Sequence, residues 1–139
     1  MLRPRVLVYS LLLVGVTVAL FVGLGMRPAL NLAVLRPPGE PFTLLPGGLV
    51  SNHFALRLRN MSVEPKRLRI AMEGPETARL IVPVNPLPLE AGELTRVDAF
   101  VNIPYDDVTH GRAPLHFLIF DGDHVGAEAD TVFLAPVAP

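Results

Sequence analysis

The chain has no cysteine and no tryptophan. Without cysteine, these 139 residues cannot hold a disulfide framework, a thiolate metal site, a cysteine-ligated iron–sulfur cluster or a cysteine nucleophile. Serine is scarce as well. After residue 28 only Ser51 and Ser62 occur, and neither sits in a nucleophile elbow, so serine-hydrolase chemistry finds no seat. Positive charge is also short. Apart from Arg3, Arg5 and Arg27, nine basic residues face thirteen acidic ones, a balance of −4 over residues 28–139. Nothing in this balance suggests nucleic acid, which wants a clearly basic surface. No stretch of 28–139 keeps a 3.6-residue apolar period, so nothing there reads as an amphipathic helix.

Long apolar runs are absent too, with one exception. Val6 to Met26 has 21 residues and no charge. As a helix rising ~1.5 Å per residue it would span ~31 Å, the thickness of a bilayer's hydrocarbon core. Arg3 and Arg5 precede it and Arg27 follows it. Two basic residues against one place the amino terminus in the cytoplasm and the rest outside. The reading is a leader (1–5), a transmembrane helix (6–26) and an outer domain (27–139). In a Gram-negative bacterium this is an inner-membrane, single-pass protein with a periplasmic domain. Signal-peptide cores usually run ~7–15 residues, which favours a retained span. The alternative is a secreted domain released by cleavage after Gly25, with Gly23 and Gly25 at the small-residue positions. Within the helix, Gly15, Ala19 and Gly23 recur every fourth residue and form a stripe that lets another helix approach closely.

Beyond the helix the chain is cut by proline and glycine into short alternating segments. Leu30, Leu32 and Val34 alternate with Asn31, Ala33 and Leu35. Phe54, Leu56 and Leu58 share one side of a strand over 51–60, with His53, Ala55, Arg57 and Arg59 on the other. Leu68, Ile70 and Met72 repeat the pattern over 66–73. A short polar loop joins these two segments, which predicts neighbouring antiparallel strands. Further strands are expected at 80–82, at 87–89 (an edge, because of Pro88), at 94–103, at 115–120 as a central strand, and at 131–134. Asp121-Gly122-Asp123 opens the last hairpin. Seven or eight short strands with turn chemistry between them predict an all-β, immunoglobulin-like antiparallel sandwich behind one transmembrane helix. With no inter-sheet disulfide and no tryptophan, its core must rely on aliphatic and phenylalanine packing.

For metal chemistry the candidates are His53, His110, His116 and His124, with Met61 and Met72 as soft ligands suited to copper. No two histidines have close ligand spacing, although His116 and His124 could meet across the last hairpin. Asp121, Asp123, Glu128 and Asp130 fit no EF-hand spacing and read as a solvated acidic hairpin. No metal or other cofactor is expected. Arg57, Arg59, Lys66, Arg67 and Arg69 would share one outward face if their strands pair. That face could dock an acidic partner or anionic headgroups, or could simply be a solvated strand face that protects a sheet edge.

Several of these residues also match a known family. The run Arg3-Pro4-Arg5-Val6-Leu7-Val8-Tyr9, with the helix and Arg27-Pro28, resembles the last membrane helix of the FixG/CcoG-type cytochrome c oxidase accessory proteins. Gly48 to Asn60 resembles that family's strand G-x-I-x-N-x-Y-x-L-x-L-x-N, with Val50 for isoleucine and Phe54 for tyrosine. Ala91-Gly92-Glu93, Val101-Asn102-Ile103-Pro104 and Gly111 to Phe117 are similar to its later turn and strands. The resemblance implies the family's C-terminal part alone, the last helix and the periplasmic immunoglobulin-like domain. Full-length members carry iron–sulfur clusters on cysteine-rich motifs and act in copper delivery during assembly of a haem–copper oxidase. None of those redox residues exists here. The expectation is therefore a non-enzymatic interaction module of oxidase assembly. Its partners would be other membrane proteins, met through Gly15, Ala19 and Gly23 and through the Arg57–Arg69 face, with no small-molecule substrate. The alternative is one part of a split copper-reducing system, contributing a copper contact through His53, His116 or Met61.

Overall fold

The computed structural model describes residues 3–26 and 28–137. Helix α1 runs Pro4–Gly25, two residues earlier at its start than the uncharged run. Pro4 occupies the first turn, where a missing N–H costs nothing and the fixed φ suits a helix. Arg27, expected to close the span, lies outside the described residues. No residue of α1 is buried against the rest of the chain, and the helix is long and apolar enough to cross a membrane.

The remainder is two antiparallel sheets facing each other. The strands are β1 (Leu30–Leu35), β2 (Thr43–Leu45), β3 (Leu49–Asn60), β4 (Lys66–Glu73), β5 (Arg79–Ile81), β6 (Leu87–Leu89), β7 (Leu94–Pro104), β8 (Arg112–Asp121) and β9 (His124–Leu134). One sheet has the order β1-β3-β7-β5, with β2 folded back on the start of β3. The other has the order β6-β4-β8-β9. The expected immunoglobulin-like sandwich is thus present, with β8 central in its sheet and β6 on an edge.

One expectation is overturned. Segments 51–60 and 66–73 are not neighbours: β3 pairs with β1, β2 and β7, while β4 pairs with β6 and β8. The connection between them crosses from one sheet to the other. Two edges are all a strand has, and β7 takes one whole edge of β3 by pairing from Leu49 to Arg59. Strands β1 and β2 share the other edge. Strand β2 itself was not expected, because Pro41 and Pro46 mask its three residues. Its turn to β3 needs Gly47 and Gly48, both at positive φ (84° and 76°), a region that side chains with a Cβ resist.

The alternation does place the core. Phe54, Leu56 and Leu58 of β3 and Val97, Ala99, Val101 and Ile103 of β7 face Leu68 and Ile70 of β4 and Leu115, Phe117 and Ile119 of β8. Phe54 meets Phe117 edge to face at 5.6 Å. Each fully buried side chain of this size contributes roughly 1.5–3 kcal/mol, which is how a cysteine-free sandwich stands without a disulfide.

Candidate interaction surfaces

The helix stripe is geometrically available. Gly15 and Ala19 line an open groove of about 490 Å³ on α1, between Val8, Leu11, Leu12 and Val16. A Cβ added at Gly15 or Gly23 would meet nothing within 4 Å, so this side of the helix has no neighbour within the chain.

The five basic residues do not share a face. Because β3 and β4 lie in different sheets, Arg57 and Arg59 project from the outer side of the first sheet. Arg67 and Arg69 project from the outer side of the second. On that strand Lys66 and Arg69 are already engaged. Lys66 Nζ donates to Asp121 Oδ2 at 2.6 Å, and the Arg69 guanidinium lies 4.2 Å from the centre of the Phe120 ring. Arg67 is exposed opposite Pro88. Arg57 and Arg59 are different: among the described residues no carboxylate comes within ion-pair distance of either. Arg57 stands directly across from Arg96, which itself reaches Asp98 at 3.3 Å. His53 bonds to the same Asp98 oxygen at 2.9 Å and stacks on Phe100 at 4.6 Å. The His53 bond, helped by Arg96, holds the Asp98 carboxyl below the ordinary carboxylate range.

The histidines are dispersed. His53 and His116 lie on opposite outer faces, and the cross-hairpin meeting of His116 and His124 does not occur. His124 sits across from Asp121 instead. His110 stands in the 104–111 loop with a φ of 56°. Met61 is exposed and Met72 packs against the core. Among the described residues no group of three or more histidine, aspartate or glutamate side chains is placed to hold a metal ion. His116 instead lies between two carboxylates, with Asp130 at Nδ1 and Glu128 at Nε2, the latter at 3.0 Å. The Asp130 bond and then the Glu128 bond raise its pKa above the ordinary histidine value. Three of the four acids expected to be simply solvated are thus partnered: Asp121 by Lys66, and Glu128 and Asp130 by His116.

Two residues that stand in the sequence only as the asparagine positions of the family strand prove central. Asn52 and Asn60 are fully buried, at the inward positions that bracket Phe54, Leu56 and Leu58. Asn52 Nδ2 donates to the Leu134 carbonyl at 2.7 Å, and its Oδ1 accepts from Leu134 N at 2.9 Å and from Arg36 at 3.0 Å. Arg36 also donates to the Val132 and Pro41 carbonyls and covers the Phe54 ring at 4.9 Å. This bolts the first sheet to the last strand of the second. Asn60 holds the β3–β4 connection, donating to the Glu64 carbonyl at 2.7 Å and accepting from Ser62. The signal was in the parity: both asparagines fall in register with the apolar positions of 51–60.

The structure defines a class: an immunoglobulin-like β-sandwich behind an apolar helix with an open small-residue groove. The family model described as "IG-like fold at C-terminal of FixG" matches residues 20–136. The chain belongs to that family. It is 43% identical over 72 residues to Protein RdxA of Cereibacter sphaeroides, covering 52% of this chain and 15% of the length of RdxA. The crystal structure of a FixG-related protein from Vibrio parahaemolyticus superposes with a TM-score of 0.67 at 15% identity, over 78% of this chain and 97% of that one. At that identity the likeness shows the fold.

Proposed function

We propose that this protein is a membrane-anchored, non-catalytic interaction module that acts in haem–copper oxidase assembly or in delivery of its copper. The observation carrying this reading is the family match over residues 20–136, which takes in both the end of the helix and the sandwich. The amino terminus lies in the cytoplasm and the sandwich in the periplasm, because Arg3 and Arg5 precede the span. Partner membrane proteins pack against Gly15, Ala19 and Gly23: the first two line the open groove, and a Cβ at Gly23 would meet nothing within 4 Å, which suits close helix approach. Arg67, exposed beside Lys66 and Arg69, adds an outer contact to acidic partners. A second reading draws on the fact that the chain spans only 15% of RdxA. The module then works as one part of a larger or split redox system whose iron–sulfur centres lie outside these residues. The second reading includes a copper contact through His53, His116 or Met61 taken singly, since the fold keeps His53 and His116 on opposite faces.

Affinity purification of the tagged chain from native membranes, with mass spectrometry and metal analysis, tests both readings. Oxidase-assembly proteins in the eluate support the first. A cysteine-rich iron–sulfur partner supports the second. The chain alone and metal-free would overturn both.

A further inference from the structure

The outer face of the β1-β3-β7-β5 sheet carries a charge arrangement that folding alone does not account for. Arg57 and Arg96 stand directly opposite one another across β3 and β7, and Arg59 follows two residues on. Like charges at directly opposed positions destabilise a sheet. Asp98, across from Ala55 on this face, is shared between His53 and Arg96. Between Arg57 and Arg59 lies a groove of about 230 Å³, lined also by Asn31, Ala33 and Leu94. It is concave, has arginines on its wall, and is of a size to take a phosphate group. Exposed Leu35, Ile81 and Phe100 lie on the same outer face.

Chain length says what is within reach. Residue 31 follows the end of α1 at Gly25 by six residues, so at ~3.5 Å per residue Asn31 lies no more than about 21 Å from the helix end. Asn31 is paired directly with Arg59. A protein tethered through α1 therefore keeps this groove close to the lipid headgroups. We propose that the Arg57–Arg59 groove, with Arg96 beside it, binds the phosphates of anionic membrane lipids and lays the outer face of this sheet against the bilayer. The arginine fork suits phosphate in a two-bonded geometry. The apolar side chains of the face then meet the interfacial region. This goes beyond the partner reading above and needs no other protein.

The absence of native cysteine makes the test clean. The full chain carries a single Leu35→Cys, on the same outer face but outside the groove, labelled with an environment-sensitive fluorophore and is reconstituted into nanodiscs. These contain either phosphatidylcholine alone or phosphatidylcholine mixed with anionic phosphatidylglycerol, each with a headgroup-quencher lipid. The same label at Val125, on the other sheet, is the control. Strong quenching at 35 but not at 125 is expected only with the anionic lipid, and it should fall as salt rises towards ~0.5 M, where screening is short-ranged. Each of Arg57→Gln, Arg59→Gln and Arg96→Gln should weaken the anionic-lipid response about fivefold. Equal quenching in both lipid mixtures, or a salt-insensitive response, overturns the proposal. Quenching at 35 only after acidic membrane proteins are added also overturns it, in favour of a protein ligand. The wild-type dependence on lipid and salt decides the matter even if a variant misfolds.

Discussion

Asn52 is a polar side chain with no exposure in the middle of an apolar strand. Its amide satisfies both backbone groups of Leu134 and one arm of Arg36. Asn52→Ala would leave those groups buried and unpaired, so a loss of roughly 2–4 kcal/mol is expected, read as a lower urea midpoint of the full chain in detergent. Burial lowers the Arg36 pKa, and its carbonyl and asparagine acceptors offset that desolvation. His116 makes a different prediction. Its folded pKa is raised by Asp130 and then Glu128. Its contribution to stability is therefore complete below the ordinary histidine value and is lost as pH rises through the raised folded value. A melting series across that range should show a decline that His116→Gln removes; an unchanged profile in the variant would show that the two carboxylate bonds carry no net stability.

Among the elements, α1 and β3 divide the work. Helix α1 buries no residue against the sandwich, so packing within the domain places no demand on its sequence. Changing Gly15, Ala19 and Gly23 together to leucine fills the groove without touching the sandwich. Partner recovery in the purification should fall at least tenfold while the melting midpoint of the domain stays put; undiminished recovery would place the contact elsewhere. Strand β3 touches more of its sheet than any other, pairing with β1, β2 and β7. Its inward row Asn52, Phe54, Leu56, Leu58 and Asn60 is the part that resembles the family strand. Each of these side chains is fully buried, so the resemblance marks a folding pattern. The apolar row was legible because strand parity is a local property. The separation of β3 and β4 into different sheets was not. A short loop joins hairpin partners and sheet-crossing neighbours alike, and Asn60 bonds its loop to Glu64 and Ser62 in the crossing form.

Over the whole molecule, the two sheets are joined along the β1 and β9 side, where Arg36 reaches the Val132 carbonyl and Leu30 packs over Gly126. A Cβ at position 126 would lie 2.5 Å from the end of the Leu30 side chain. Gly126→Val should push the first strand off the last hairpin and cost roughly 1–3 kcal/mol, measured as a drop in melting temperature. A neutral result would mean that Leu30 swings aside freely. The sequence by itself determined the helix, the strand count nearly in full and which side chains face inward, because apolar period and turn chemistry act over a few residues. Only the tertiary structure decided which strands are neighbours, and with that it sent Arg57 and Arg59 to one face and Arg67 and Arg69 to the other. It also gave Asn52 its partner 82 residues away. Pairing between distant segments depends on competition for sheet edges and on the burial of polar groups, and neither is written in a local window of residues.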